Sequence, residues 1–227
     1  MTSIPTDFGS TPSGLKPTTH TYVALLLFIW FMLVTTLGYS GFFIPDVVGQ
    51  PPVMLLISGI VTLTAFTLAY RYLGAFRDYV LNLDMRLLIM LHGWRTLGLG
   101  FVMLYIIGQL PALFALFAGF GDAIAAVWAI IIAYLLFTRS EGISKKAILR
   151  WNHFGLIDFI LALSLGVLSQ SNGLLQLTES VDSDLMVTFP FVIIPGFLVQ
   201  ILVITHIIIY LQLRKNWKNQ DVIKLNQ

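Results

Sequence analysis

The sequence predicts an all-α fold, a polytopic membrane protein built as a bundle of six transmembrane helices. Three observations lead there. Hydrophobic residues make up 57% of the 227 residues and charged residues only 11%, against about 25% charged in ordinary soluble domains. The apolar residues fall in six continuous runs, each long enough to cross about 30 Å of hydrocarbon at about 1.5 Å per residue. Lys and Arg gather in alternate loops. Continuous runs exclude a β-barrel, whose strands alternate apolar and polar residues. A large soluble core is excluded because the runs leave no polar helix face to meet water.

Taken in order, residues 1–19 are rich in Ser, Thr, Pro and Gly and read as a loosely ordered lead-in. They lack the basic start and small-residue cleavage site of a signal peptide. The first span covers about 21–43, and Asp46, Gly49, Pro51 and Pro52 make the turn after it. The second covers about 53–73 and ends on Tyr70, Arg71 and Tyr72, an interfacial anchor. Residues 74–87 mix charges with apolar residues and predict a helix lying at the membrane surface. The third span covers about 88–108. Pro111 opens the fourth, about 111–137, where a missing N–H costs nothing. A polar loop over 138–150 leads to the fifth span, about 151–169. An acidic loop from Gln170 to Asp184 leads to the sixth, about 186–212, with Pro190 and Pro195 near its start. Residues 20–213 thus form the membrane domain and 214–227 a basic tail.

Charge sets the orientation. Arg71, Arg77 and Arg86 follow span two; Arg139, Lys145, Lys146 and Arg150 follow span four; Arg214, Lys215, Lys218 and Lys224 follow span six. The loops after spans one, three and five hold no Lys or Arg. The expected location is a bacterial plasma (inner) membrane, with both termini cytoplasmic. The chain has no cysteine, which removes disulfides and thiolate metal sites. A net charge of +2, sited at helix ends, offers no stripe for nucleic acid. The sequence carries no phosphate loop, nucleophile elbow or zinc-protease motif. With no separate soluble domain, an enzymatic role is disfavoured and any chemistry belongs in the bundle or at its rim.

Ionisable residues inside the runs are the candidate functional groups, because they are costly in lipid and must face protein or water. Counted at about 1.5 Å per residue from the basic side, His92 lies about 6 Å in, His206 about 9 Å, Arg95 about 10 Å, Asp158 about 12 Å and Asp122 roughly 20 Å. His92 and Arg95, three apart, share a helix face. Asp158 lies on a stripe of small residues with Gly155, Ala162 and Gly166. Asp122 lies on a broad small face with Ala115, Ala118, Gly119, Ala125, Ala126, Ala129 and Ala133. Such faces let helices approach closely, so both acids should point into helix contacts. Gly93, Gly100 and Gly108 read as packing positions on span three.

Arg95 should neutralise Asp158, or Asp122 by reaching further, leaving one surplus acid. The favoured function is a small transporter or channel-type protein with this cluster open toward the cytoplasm. Arg95, Asp122 and Asp158 would couple a proton, ion or small solute, and His92 and His206 would serve as relays. One alternative is a haem or metal redox protein with His92 and His206 as axial ligands. Another is a non-enzymatic scaffold or partner subunit held by the ion pair. A weaker one is a lipid-modifying enzyme using Asn152, His153 and Asp158 at the rim. The sequence names no cofactor. The partners it implies are the bilayer and a small solute or ion, with oligomerisation left open.

Overall fold

The computed structural model describes residues 17–138, 143–175 and 181–225. Most of the expected lead-in, residues 1–16, lies outside them, as do residues 139–142 and 176–180 in the two polar loops. The described chain is helical and holds six helices long and apolar enough to cross a membrane. The helices are α1 (Pro17–Tyr39), α2 (Val53–Tyr72), α3 (Gly74–Leu81), α4 (Met85–Leu91), α5 (Leu99–Ile106), α6 (Ala112–Thr138), α7 (Lys145–Leu168) and α8 (Val199–Leu225). A 3-10 stretch, His92–Gly98, joins α4 to α5 and makes one long rod of them. The end of the bundle where α2, α6 and α8 finish is the basic end, and the opposite one the far end.

Several boundaries differ from expectation for local reasons. α1 begins at Pro17 rather than near 21, with proline in the first turn where its lost N–H is harmless. α7 begins at Lys145, not 151, because Ser144 caps it: its Oγ accepts the Ala147 N–H at 3.3 Å. Polar residues at 145–150 therefore extend the helix instead of forming a loop. The sixth span is not one helix from 186. It opens with a 3-10 turn, Asp184–Val187, passes a cis Phe189–Pro190 bond, and winds through a π-helical turn, Ile194–Leu198, before α8. Pro190 and Pro195 supply no N–H, so an α ladder cannot run unbroken through them. Gln200 Nε2 donates to the Pro195 carbonyl at 3.3 Å and to Ser58 Oγ at 3.0 Å, which ties the irregular turn to α2. α8 then continues to Leu225, so the expected tail from 214 starts as helix.

The surface helix expected over 74–87 is α3 and the short link to α4. Tyr79 and Val80 on α3 are buried with Phe66 and Ile208. Asp84 then caps α4, accepting the Arg86 N–H at 2.8 Å and pairing with the Arg86 guanidinium at 2.6 Å. Burial works to raise the Asp84 carboxyl, but the hydrogen bonds and charge of Arg86 outweigh it and hold the group below its ordinary 3.8. A depressed carboxyl contributes stability above its unfolded value and loses that contribution as pH falls through the folded one. Asp84→Ala is therefore expected to cost about 0.5–2 kcal/mol at neutral pH. Melting curves in detergent should show the gap between parent and variant closing below the ordinary 3.8 of the carboxyl.

α6 is the hub. It packs on α4, α5, α7 and the 3-10 stretch through buried Ala115, Ala118, Ala125, Ala126, Ala129 and Ala133. Toward the basic end, Met85, Ile89, Ile132, Ile148, Trp151, Ile209 and Leu213 form a closed apolar layer. Toward the far end, Phe101, Leu110, Phe114 and Met186 form a second cluster. α1 and α2 are peripheral. Their far ends join through Val34, Phe43, Leu55, Val187 and Val192, while Leu26, Phe28, Ile60 and Val61 stay exposed. An outer surface this apolar suits hydrocarbon, not water. Gly108 turns α5 into α6 with φ +71°, and a Cβ there would meet nothing within 4 Å, so its role is conformational rather than close packing.

Candidate functional site

Four helical segments meet at one buried polar cluster between the two apolar layers. Arg95, at the centre of the 3-10 stretch, is 3% exposed. Its Nε donates to Asp122 Oδ1 at 2.7 Å, and its Nη2 donates to Asp158 Oδ2. Its Nη1 donates to His206 Nε2 at 3.3 Å and to the Gly155 carbonyl at 3.5 Å. The guanidinium lies over the Phe159 ring, with Cζ 3.9 Å from the centroid. A planar fork is suited to this, since one face stacks while the edge serves two acids on different helices.

The expectation that Arg95 would serve one acid is too narrow, because it binds both. Two things carry it to Asp122, which the depth count sets much further from the basic end. α4 begins at Met85 instead of 88, and the 3-10 turns rise about 2.0 Å per residue rather than 1.5 Å. Among the described residues no other Lys or Arg pairs with either acid. With both acids ionised the cluster carries one positive and two negative charges.

The histidines complete the cluster, with their tautomers set by neighbours. His206 Nε2 accepts from Arg95, so its proton sits on Nδ1, which donates to Asn152 Oδ1 at 2.9 Å. The Thr205 hydroxyl donates to the Leu202 carbonyl at 2.7 Å, so His92 Nε2–H donates to Thr205 Oγ1 at 2.9 Å. That leaves His92 Nδ1 buried with no partner, and Asn152 Nδ2 likewise. The His92 and His206 centroids lie 4.1 Å apart. Two imidazoles on opposite sides of one haem iron, each nitrogen about 2 Å from the metal, need centroids roughly 6 Å apart. The rings are too close, and Nε2 of each is already engaged. Among the described residues no group of three or more His, Asp or Glu has the arrangement of a metal site. The rim residues disperse: Asn152 is fully buried against His206, while the His153 ring faces Tyr210.

Tight packing enforces the geometry. A Cβ on Gly121 would overlap the Asp158 carboxylate, one on Gly155 would overlap His206, and one on Gly98 would sit 2.5 Å from the Asp122 Cβ. These are not the glycines singled out on span three. Gly100 has nothing within 4 Å, and Gly93 meets only Ile130 at 3.4 Å. Spacing could have indicated one of the missed residues: Gly98 is three after Arg95, so it shares a face with the cluster.

A cavity of about 70 Å³ ends on Asp122. Phe101, Phe114 and Phe159 wall it, and Gln170, Ser183 and Pro195 bound it toward the far end. The Asp122 side chain keeps 16% of its surface accessible, against 7% for Asp158 and 1% for Arg95. The cluster is thus approached from the far end and covered at the basic end by the Met85, Ile132, Trp151 and Ile209 layer. Among the described residues this approach lies opposite to the side of the termini, where the sequence predicts the opening.

Residues 51–214 match the model of a family described as a domain of unknown function, DUF8737. The chain belongs to this family. The matched segment holds every residue of the cluster and its cavity and leaves out α1, the most peripheral helix. No curated protein and no solved structure matches the chain.

Proposed function

We propose that this DUF8737 protein is a polytopic membrane protein of transporter or channel type that moves a proton, an ion or a small solute. Arg95, Asp122 and Asp158 are the coupling groups, with His206 and His92 as relays toward the basic end. The charge alternation supports a bacterial plasma membrane with both termini cytoplasmic. In that orientation the cavity faces outward. The observation that carries the reading is a cavity ending on one acid of a buried cluster that has two carboxylates and one guanidinium. An uncompensated charge in such a place is costly. A proton or monovalent cation arriving at Asp122 removes the imbalance, which links occupancy to the Arg95 bond.

The expected result in proteoliposomes is flux that falls at least tenfold in Asp122→Asn and in Asp158→Asn. Unchanged flux in both variants would remove these residues from the mechanism. A structural reading has its own support, since Arg95 joins three helices at once. It predicts that exchanging Arg95 and Asp158 together recovers expression lost in the single exchanges, while the flux arm stays silent.

A further inference from the structure

The inner end of the cavity offers an acceptor and no cation. Asp122 Oδ1 accepts from Arg95, and its other oxygen has no hydrogen-bond partner among the described residues. Gln170 is 5% exposed, lines the cavity, and its Oε1 has no partner. Ser183 spends its proton on the Gly166 carbonyl at 2.5 Å, so only its lone pairs remain to offer. Among the described residues no Lys, Arg or His lines the cavity. Of these, Asp122 alone sits by the cluster, since Gln170 is twelve residues, about 18 Å of helix, beyond Asp158. A carboxylate oxygen without a partner, on a cavity that no cation lines, calls for a positively charged hydrogen-bond donor. The cavity walls are three phenyl rings, which favour a cation carrying an apolar body. Measured in this way a water takes about 10–15 Å³, so the space admits roughly five water-sized groups.

We infer that the cavity binds a small organic ammonium, its nitrogen on Asp122 and its alkyl part against Phe101, Phe114 and Phe159. This inference rests on the transport reading for its role but not for its binding. Bare sodium and potassium fit poorly, because phenyl walls replace little of their hydration. Guanidinium is a planar alternative of the same charge, and a long alkyl chain exceeds the space.

The test is calorimetry on the full chain in nanodiscs, with ethylammonium as probe and sodium and ethanol as controls. Ethylammonium is expected to bind with millimolar or tighter affinity, and both controls to show at least tenfold weaker binding. The cavity-filling Phe101→Trp is expected to weaken ethylammonium at least fivefold. Equal binding of ethanol, tighter binding of sodium, or no binding of ethylammonium by the parent protein would overturn the inference. Should that variant fail to fold, the parent's preference among the three probes still decides. Proton flux that depends on Asp122 without ethylammonium binding would sink the inference and leave the transport reading. Ethylammonium binding with no flux of any kind would do the reverse.

Discussion

Arg95→Leu is expected to be the most damaging single substitution in the chain. It leaves Asp122 and Asp158 on facing helices with no counter-charge, one of them 16% and the other 7% accessible. Removing one member of a buried pair costs about 3–5 kcal/mol, because the remaining charge stays desolvated. Here two charges remain, so the loss should reach at least that range. Arg95→Lys should rescue little. A single ammonium cannot bond acids on two helices while lying flat on Phe159. The triple variant Arg95→Leu, Asp122→Asn, Asp158→Asn removes the uncompensated charge and is expected to recover more than half of the lost stability. Detergent melting temperatures of the four proteins test this. An Arg95→Leu protein that melts with the parent would show that the cluster is not desolvated.

Gly121→Ala should come second. The added methyl overlaps the Asp158 carboxylate, and the helix backbone that carries it cannot retreat without breaking the α6–α7 contact. Overpacking of this kind costs about 1–3 kcal/mol, and the displaced carboxylate also leaves Arg95. Gly100→Ala is the matched control. The site is open and helical, so the change should be neutral or stabilise by about 0.5–1 kcal/mol. Paired melting curves read the difference. Equal effects from the two substitutions would mean that helix propensity, not contact with Asp158, sets the outcome.

The spans and the polar residues within them are legible in the sequence because both depend on local cost. A run of apolar residues announces itself, and Arg95, Asp122 and Asp158 stand out in it since lipid tolerates charge badly. What is not legible is relational. Which glycine touches which neighbour depends on helix crossings, so Gly98, Gly121 and Gly155 look no different from Gly93 and Gly100 in the sequence. Gln170 reads as the start of a polar loop, and only the fold turns its side chain into a cavity wall. The side from which the cluster is reached depends on voids between distant segments, which no window of residues records. Pro190 and Pro195 signal the break in the sixth span, yet not its π-turn geometry.

The 3-10 stretch that carries Arg95 has a mechanical corollary. Its seven residues, His92–Gly98, are wound at three per turn. Rewinding them at 3.6 per turn would shorten the rod by about 3.5 Å and screw α5 around its axis by about 140° relative to α4. Arg95 and Phe101 ride on that same screw, one at its midpoint and one just beyond it. A local change of helical pitch would therefore shift the guanidinium and the aromatic wall in a single stroke.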